Sequence, residues 1–421
     1  MDRVRGATGD ASLAFLAEGY TFGHRRFESH QADAFRTRLM GRPVLFLRGA
    51  DASRFFYEDE RFSRDGAMPR SVLHSLQDEG SVQTLAGSAH RERRSLFLRS
   101  LDADGERALT TRFEELWDAA ATRRRPGERI RLLDAVSELL ARASLDWLRL
   151  PATSDDVRAR TAEMTAMIDG AGSFAVRNWR GRALRRRSEA WARAVVQRTR
   201  TRSPAALSRP LALLVDPTAG LDDDTAAVEL LNLVRPTVAV ARFVAFAGLA
   251  LHRHPQWRDR VAGDRGAAAA FAEEVRRTTP LFPVIGGTAT RDLEWDGARI
   301  EKGDWVILDL FATDRHPAQW QDAWRFDPAR HLPDRAIPAP VPPQAPGAAH
   351  VVAHVVAQGD GPMPTAHRCP GEPATRSLLT AAVGRLAAAS WSVPPQNLRV
   401  NLSRMPAQPG RHGMTICWEG A

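Results

Sequence analysis

One cysteine stands where its sulfur could do chemistry. The chain has two cysteines among 421 residues, and Cys369 lies in the turn-rich stretch 358–372, QGDGPMPTAHRCPGE, two residues after His367. A thiolate in such a turn can hold a haem iron and push electron density onto it. The amide of Gly371 and the start of the next helix could stabilise the thiolate charge. An ordinary reduced cysteine in a loop is the alternative, and composition alone favours it.

A second unusual feature lies inside an apolar segment. Residues 222–254 are apolar on most helical faces, which predicts a helix about 45 Å long that crosses the interior. Arg235 and Pro236 stand near its middle. Both are unfavourable there, because a buried arginine needs a carboxylate partner and a proline removes a backbone donor. Arg235 therefore pairs with a structural Asp or Glu, or it serves a ligand.

Further motifs follow in a definite order. EEVRRTTP places Glu274 and Arg277 three residues apart on one helix face, and FDPARHLP contains Arg330. The order of long helix, Glu-x-x-Arg, small sheet, Phe-x-Pro-x-Arg and His-x-Cys-x-Gly resembles the cytochrome P-450 superfamily. By that resemblance Cys369 is the axial ligand and metal-binding residue, and Glu274, Arg277 and Arg330 form a structural ion network.

The resemblance narrows to one branch. The stretches QGDGPMPTAHRCPGE, ELLNLVRPTVAVA and VQTLAGSAHRERRSLFL look like the bacterial fatty-acid peroxygenases, from about residue 12 to the C-terminus. The resemblance implies one haem-thiolate catalytic domain over residues 1–421. The implied fold is mainly α with small antiparallel β-sheets, and haem b lies between the long central helix and the cysteine loop.

The same resemblance implies a reaction. Arg235 and Pro236 replace the acid–alcohol pair of ordinary monooxygenases, and Arg235 holds the substrate carboxylate as a bidentate pair. That carboxylate then serves as the acid and base for hydrogen peroxide. The expected products are acids hydroxylated at Cα or Cβ, or alkenes after decarboxylation. Two other functions stay open: a redox-partner-dependent P-450 monooxygenase of secondary metabolism, and a non-catalytic haem or ligand-binding protein.

Other site residues carry over by resemblance. Gln83 falls near the distal haem face and is a catalytic candidate. Arg64, His90, Arg94 and His367 are expected to meet the haem propionates, and His90 and Arg94 share a helix face because they are four residues apart. For each of these residues an ordinary surface charge is the alternative.

The substrate-binding candidates depart from the family pattern. Gln77 takes a position that commonly holds a phenylalanine of the acyl tunnel, and Val284 lies where aromatics are usual. Arg242 follows Arg235 by seven residues, almost on the same helix face. A polar lining would weaken the binding of a long acyl chain, which gains ~0.8 kcal/mol per buried methylene. We therefore expect a shorter, aromatic or doubly polar acid, unless Arg242 reaches solvent or a local acid.

The cysteine turn itself also departs from the family. Asp360 and Ala366 stand where the family usually has glycines. The loop keeps its length, so the resemblance implies the same path for the chain. We expect a stiffer loop, because a side chain at either position removes backbone freedom.

Composition bounds the remaining possibilities. The chain is 43% hydrophobic and 26% charged, with a net charge of +9, which is typical of a soluble globular protein. We expect a cytoplasmic protein that binds no membrane and no nucleic acid. The resemblance to the peroxygenases implies that it needs no dedicated redox partner. The arginine-rich stretch 177–202 predicts a basic-faced helix. The Pro/Ala-rich stretch 336–356 predicts a surface loop or insertion.

Overall fold

Helices dominate the chain. The computed structural model describes residues 6–76, 80–173, 176–333 and 354–420. The helices are α1 Ser12–Glu18, α2 Thr21–His30, α3 Ala50–Tyr57, α4 Arg70–Leu76, α5 Gly87–Ser100, α6 Ala103–Arg123, α7 Leu132–Trp147, α8 Ser154–Gly170, α9 Val176–Arg200, α10 Arg209–Val215, α11 Asp223–Arg253, α12 Arg258–Gly263, α13 Arg265–Thr278, α14 Leu310–Thr313 and α15 Glu372–Ala388. The strands are β1 Gly6–Asp10, β2 Ala34–Leu39, β3 Arg42–Leu47, β4 Phe62–Ser63, β5 Arg129–Arg131, β6 Val284–Ala289, β7 Leu293–Trp295, β8 Ala298–Ile300, β9 Trp305–Asp309, β10 Ser390–Ser392 and β11 Thr415–Gly420. The mainly helical fold with small sheets is confirmed.

Helix α11 is the predicted central helix. Asp222 caps it by accepting a hydrogen bond from the Thr225 amide at 2.7 Å, which satisfies a donor in the first turn. The helix is long and apolar enough to cross a membrane, yet 89% of its apolar window is buried inside the fold. It contacts α7, α8, α9, α13 and α15, so it is the core helix around which the others pack.

Two hydrophobic cores meet along α11. The N-terminal half of the helix, up to Val238, packs with residues of α8, α9 and α10. The half from Val240 onward packs with α7, α13, α15 and the C-terminal strands. Arg235 and Pro236 therefore lie close to the border between the two cores.

The sheets join distant parts of the chain. β6 pairs antiparallel with β9, and β7 with β8, as the alternation of residues 288–315 predicts. β9 also pairs parallel with β3 near the N-terminus, so both strands belong to a six-stranded sheet of order β1-β2-β3-β9-β6-β4. Every residue of β9 is buried, which is typical of an interior strand.

Three sequence predictions concern segments at the margin of this architecture. The arginine-rich stretch forms α9, as expected. Gln77 and most of the Pro/Ala-rich stretch lie outside the described residues, because description stops at residue 76 and again at 333.

Candidate active site

The turn before α15 holds Cys369 from both sides. Its amide donates to the carbonyl oxygen of Gln358 at 2.9 Å, and its own carbonyl accepts the Glu372 amide at 3.2 Å. Burial raises the pKa of the Cys369 thiol, whereas a hydrogen bond from the Gly371 amide lowers it. The start of α15 thus provides the amide support that a thiolate ligand needs.

Two departures from the family pattern have structural consequences in this turn. The carboxylate of Asp360 accepts the Ser53 hydroxyl and the Gly361 amide, both at 2.7 Å, and pairs with His354 at 2.9 Å. Burial raises the pKa of Asp360, but the His354 contact lowers it to about 2. Ala366 packs in the core around α3. Both side chains therefore tie the cysteine turn to α3.

Positive charge collects beside the turn. Arg64 and Arg94 are buried, and neither forms an ion pair with a carboxylate in the described part of the chain. The rings of His90 and His367 stack at 3.9 Å. Burial, helped by Arg94, lowers the pKa of His90 to about 4, and burial, helped by Arg64, lowers that of His367 to about 2. The four predicted propionate residues thus come together, as two cations beside two neutral rings.

This donor set fits an iron porphyrin. A haem offers two carboxylates and needs one axial ligand from the protein. Nε of Arg64 is buried without a hydrogen-bond partner among the described residues, so it can still donate a hydrogen bond to a carboxylate. Arg94 has a further duty, because it donates to the carbonyl oxygens of Met363 and Arg368 and so holds the cysteine turn.

Arg235 is buried in α11, next to the exposed residue Pro236. Between Glu229 and Leu251 every residue of the helix is buried except Pro236 and Ala239. Nη2 of Arg235 donates to Oδ1 of Asn232 at 2.6 Å, and Nη1 is buried without a partner in the described chain. Burial, together with the charge of Arg185, lowers the pKa of Arg235 to about 9, so it stays cationic at neutral pH.

Arg235 has no structural carboxylate partner among the described residues, which was one of its two expected roles. Asn232 is its hydrogen-bond acceptor, and no Asp or Glu of the described ranges forms an ion pair with it. A buried cation with a free donor is unfavourable unless a ligand compensates it. An anionic ligand would therefore stabilise this arrangement.

The sequence analysis did not predict a series of hydrogen-bonded polar side chains that begins at Asn232, next to Arg235. Nδ2 of Asn232 donates to Glu229 at 2.7 Å and lies 3.3 Å from Oε1 of Gln83. Glu229, fully buried, also accepts from Arg93 at 2.8 Å and from the Val82 amide at 2.9 Å. The sequence does contain a pattern that indicates these contacts, because polar residues recur every third position, at 229, 232 and 235, in an otherwise apolar helix.

The predicted ion network assembles around Glu274. Its carboxylate accepts two hydrogen bonds from Arg277, at 2.7 and 2.8 Å, and Nε of Arg330 lies 3.4 Å away. His331 is a fourth member, with Nε2 at 2.9 Å from Oε2. Arg277 also donates to the carbonyls of Asp314 and Ala323 at 2.8 Å. The network thus fastens α13 to the chain segment that precedes the cysteine turn.

The remaining substrate-binding candidates fall in different places. Arg242 donates to Asp169 and, at 3.1 Å, to the carbonyl of Ala407, so it reaches a local acid, which is one of its two predicted alternatives. Val284 packs partly buried against the core beside β3. Gln77 is not among the described residues, and its tunnel role stays a prediction.

Known proteins with the same fold resemble this chain in sequence and in structure. The cytochrome P450 family model matches residues 252–346. A methyl-branched lipid omega-hydroxylase of Mycobacterium tuberculosis is 36% identical over 84 residues, so the match spans only 20% of that curated relative. Cytochrome P450SP alpha (CYP152B1) in complex with (R)-ibuprophen is 32% identical with a TM-score of 0.86, over 97% of this chain and 98% of that one. Cytochrome P450EX alpha (CYP152N1) with myristic acid is 30% identical with a TM-score of 0.86, over 98% of both chains.

Proposed function

Since this chain belongs to the cytochrome P450 superfamily, in its fatty-acid peroxygenase branch, we propose that it uses hydrogen peroxide to oxidise a carboxylic acid next to its carboxylate. Residues 1–421 act as one haem-thiolate catalytic domain. The products are hydroxy acids at Cα or Cβ, with decarboxylation as a further outcome. The enzyme works in the cytoplasm with peroxide and the acid alone, without a redox partner.

The observation that carries this proposal is Arg235. It is a buried guanidinium whose Nη1 has no partner among the described residues and whose acceptor is a neutral amide. Pro236, the next residue along α11, is exposed, so accessible space lies close to Arg235. A substrate carboxylate supplies the missing charge and hydrogen bond in one bidentate contact.

The haem, when bound, supplies the activation of peroxide and the oxidation of a C–H bond. Cys369 would hold its iron through the thiolate, and Arg64, His90, Arg94 and His367 would meet its carboxylates. Arg64 and Arg94 would each gain a counter-ion, which compensates their burial.

The proton transfers need an acid or base near Arg235. Asn232 and Gln83 carry amide side chains, which do not ionise near neutral pH and so cannot act as an acid or base. Glu229 is fully buried and already accepts hydrogen bonds from Asn232, Arg93 and Val82. The carboxylate that Arg235 holds is therefore the group placed to move a proton, in a substrate-supplied form of acid–base catalysis.

The ligands of the two similar structures support this choice of substrate class. Myristic acid and ibuprofen, which are named in those complexes, are both carboxylic acids. They differ greatly in shape, so what they share is the group that Arg235 is placed to bind.

The test is mass spectrometry of the haem-loaded protein after incubation with hydrogen peroxide and a panel of carboxylic acids, without any reductase. We expect oxidised acids and no oxidation of the matched methyl esters, which lack the charge that Arg235 binds. Product only after addition of a ferredoxin and its reductase would favour the monooxygenase. Haem and acid binding without turnover would favour a non-catalytic protein.

Replacing Asn232 by aspartate should raise KM for carboxylic acids by about tenfold, which corresponds to 1.4 kcal/mol, with a smaller change in kcat. Asn232 leaves Arg235 with its charge available, whereas a carboxylate in its place pairs with Arg235 and competes with the substrate. Steady-state kinetics with one acid measures the split between KM and kcat.

The aspartate of this variant would also stand beside Glu229. The double variant Glu229→Gln with Asn232→Asp removes that repulsion and serves as its control. If the double variant recovers the KM of the native protein, repulsion caused the loss and competition for Arg235 is not the reason.

A further inference from the structure

Two arginines share one aspartate where the α8–α9 turn meets α11, and a third arginine lies near enough for its charge to act on them. Asp169, in the last turn of α8, accepts a hydrogen bond from Arg242 of α11. Nη2 of Arg404 lies 3.3 Å from both oxygens of Asp169. Arg177, in the first turn of α9, interacts with the charges of the other three groups. We call these four residues the Asp169 arginine cluster, and its formal charge is positive because three guanidinium groups face one carboxylate.

The cluster has hydrogen-bond donors left over. Nη1 of Arg177 and Nε of Arg404 are buried and have no partner in the described part of the chain. Burial and the positive charge of Arg404 lower the pKa of Arg177, as expected for cations held close together. Buried donors without partners and like charges in contact both destabilise a fold. One anion would relieve both.

The C-terminal loop keeps the cluster in place. Arg242 donates to the carbonyl of Ala407 at 3.1 Å, and Met405 packs closely against Gly172 in the α8–α9 turn. Arg404 is adjacent to Met405 in that loop. The positive charge is therefore built into a packed junction of three elements.

The distance between the cluster and Arg235 is one that a single ligand can span. Arg242 follows Arg235 by seven residues, which is almost two helical turns, or about 10 Å along the axis. Seven residues at 3.6 per turn also bring the two side chains back to nearly the same face. A ligand whose head is held by Arg235 could thus reach the cluster with its other end.

We propose that the Asp169 arginine cluster binds the second anionic group of the substrate, which is then a dicarboxylic acid of medium length. This inference rests on the proposed function, because the first carboxylate occupies Arg235. The second carboxylate accepts from the free donors of Arg177 and Arg404. A plain fatty acid would leave these donors unpaired against its methyl end.

The test compares sebacic acid with decanoic acid, which has the same chain length and one carboxylate. Isothermal titration calorimetry of the haem-loaded protein should show sebacic acid binding about tenfold more tightly, the effect of one charge-assisted hydrogen bond. Replacing Arg177 or Arg404 by glutamine should bring the ratio of the two affinities close to one. Arg186→Gln, on the exposed face of α9, removes the same charge and should leave the ratio unchanged.

The outcomes separate this inference from the proposed function. Equal affinities for the two acids in the native protein would overturn the second site while leaving Arg235 as the carboxylate anchor. A preference for sebacic acid that both cluster variants retain would also overturn it. Binding of neither acid would overturn the role of Arg235 and this inference with it. The comparison in the native protein needs no variant, so a misfolded variant cannot hide the result.

Discussion

Replacing Arg235 by leucine should lower kcat/KM for carboxylic acids by about 10²–10⁴-fold, the usual contribution of acid–base catalysis. The variant removes the group that holds the substrate carboxylate, and with it the acid and base of the reaction. Steady-state kinetics with peroxide and one acid measures the loss. Arg235→Lys should retain part of the activity, because lysine keeps the charge but lacks the planar pair of donors.

The stability of the same variant should move in the opposite direction. Arg235 is a buried cation without a carboxylate partner among the described residues, and removing such a charge relieves a desolvation penalty. We therefore expect Arg235→Leu to unfold at the same temperature as the native protein or higher. A variant that loses activity because it unfolds at a lower temperature would instead assign Arg235 a structural role.

Replacing Glu274 by glutamine should destabilise the fold by about 3–5 kcal/mol, the usual effect of breaking a buried ion pair. Glu274 and Arg277 are both buried, and the variant leaves Arg277 without its carboxylate. Chemical denaturation of the haem-loaded protein measures the loss. Glu58→Gln is the control, because Glu58 is 41% exposed and its pairs with Arg54 and Arg61 are long, at 4.0 and 3.9 Å. Surface pairs of this kind contribute about 0–1 kcal/mol.

The same residue predicts a pH dependence. Burial raises the pKa of Glu274, but Arg277 and His331 outweigh it and lower the pKa from 4.5 to about 2. A depressed carboxylate pKa stabilises the fold above pH 4.5, and this contribution disappears as the pH falls towards 2. The contribution is about 3 kcal/mol at neutral pH, from a shift of that size. The native protein should therefore lose more stability than Glu274→Gln in this range, and equal losses would contradict the pKa.

The candidate residues of the site could be proposed before any fold was known, because the motifs that carry the family resemblance are local. The His-x-Cys turn, the Glu-x-x-Arg pair and the Arg-Pro pair inside an apolar helix each depend on a few neighbouring residues. The ends of α11 follow from Asp222 as its cap and from the proline at 255. The polar residues at 229, 232 and 235 are also visible in the sequence. Residues three apart in a helix are neighbours, so this spacing indicates that the three side chains contact one another.

Only the tertiary structure decided which arginine pairs with which distant carboxylate. Asp169 and Arg242 are 73 residues apart, and no local pattern relates them. The same holds for β3 and β9, which pair across more than half of the chain. The sequence by itself determined that Arg235 would be buried, because burial follows from the apolar helix around it. Arg235 has the Asn232 amide beside it because the two residues lie three apart on one helix. Arg242 has Asp169 beside it because α8 and the C-terminal loop pack against α11, and packing is a property of the whole fold.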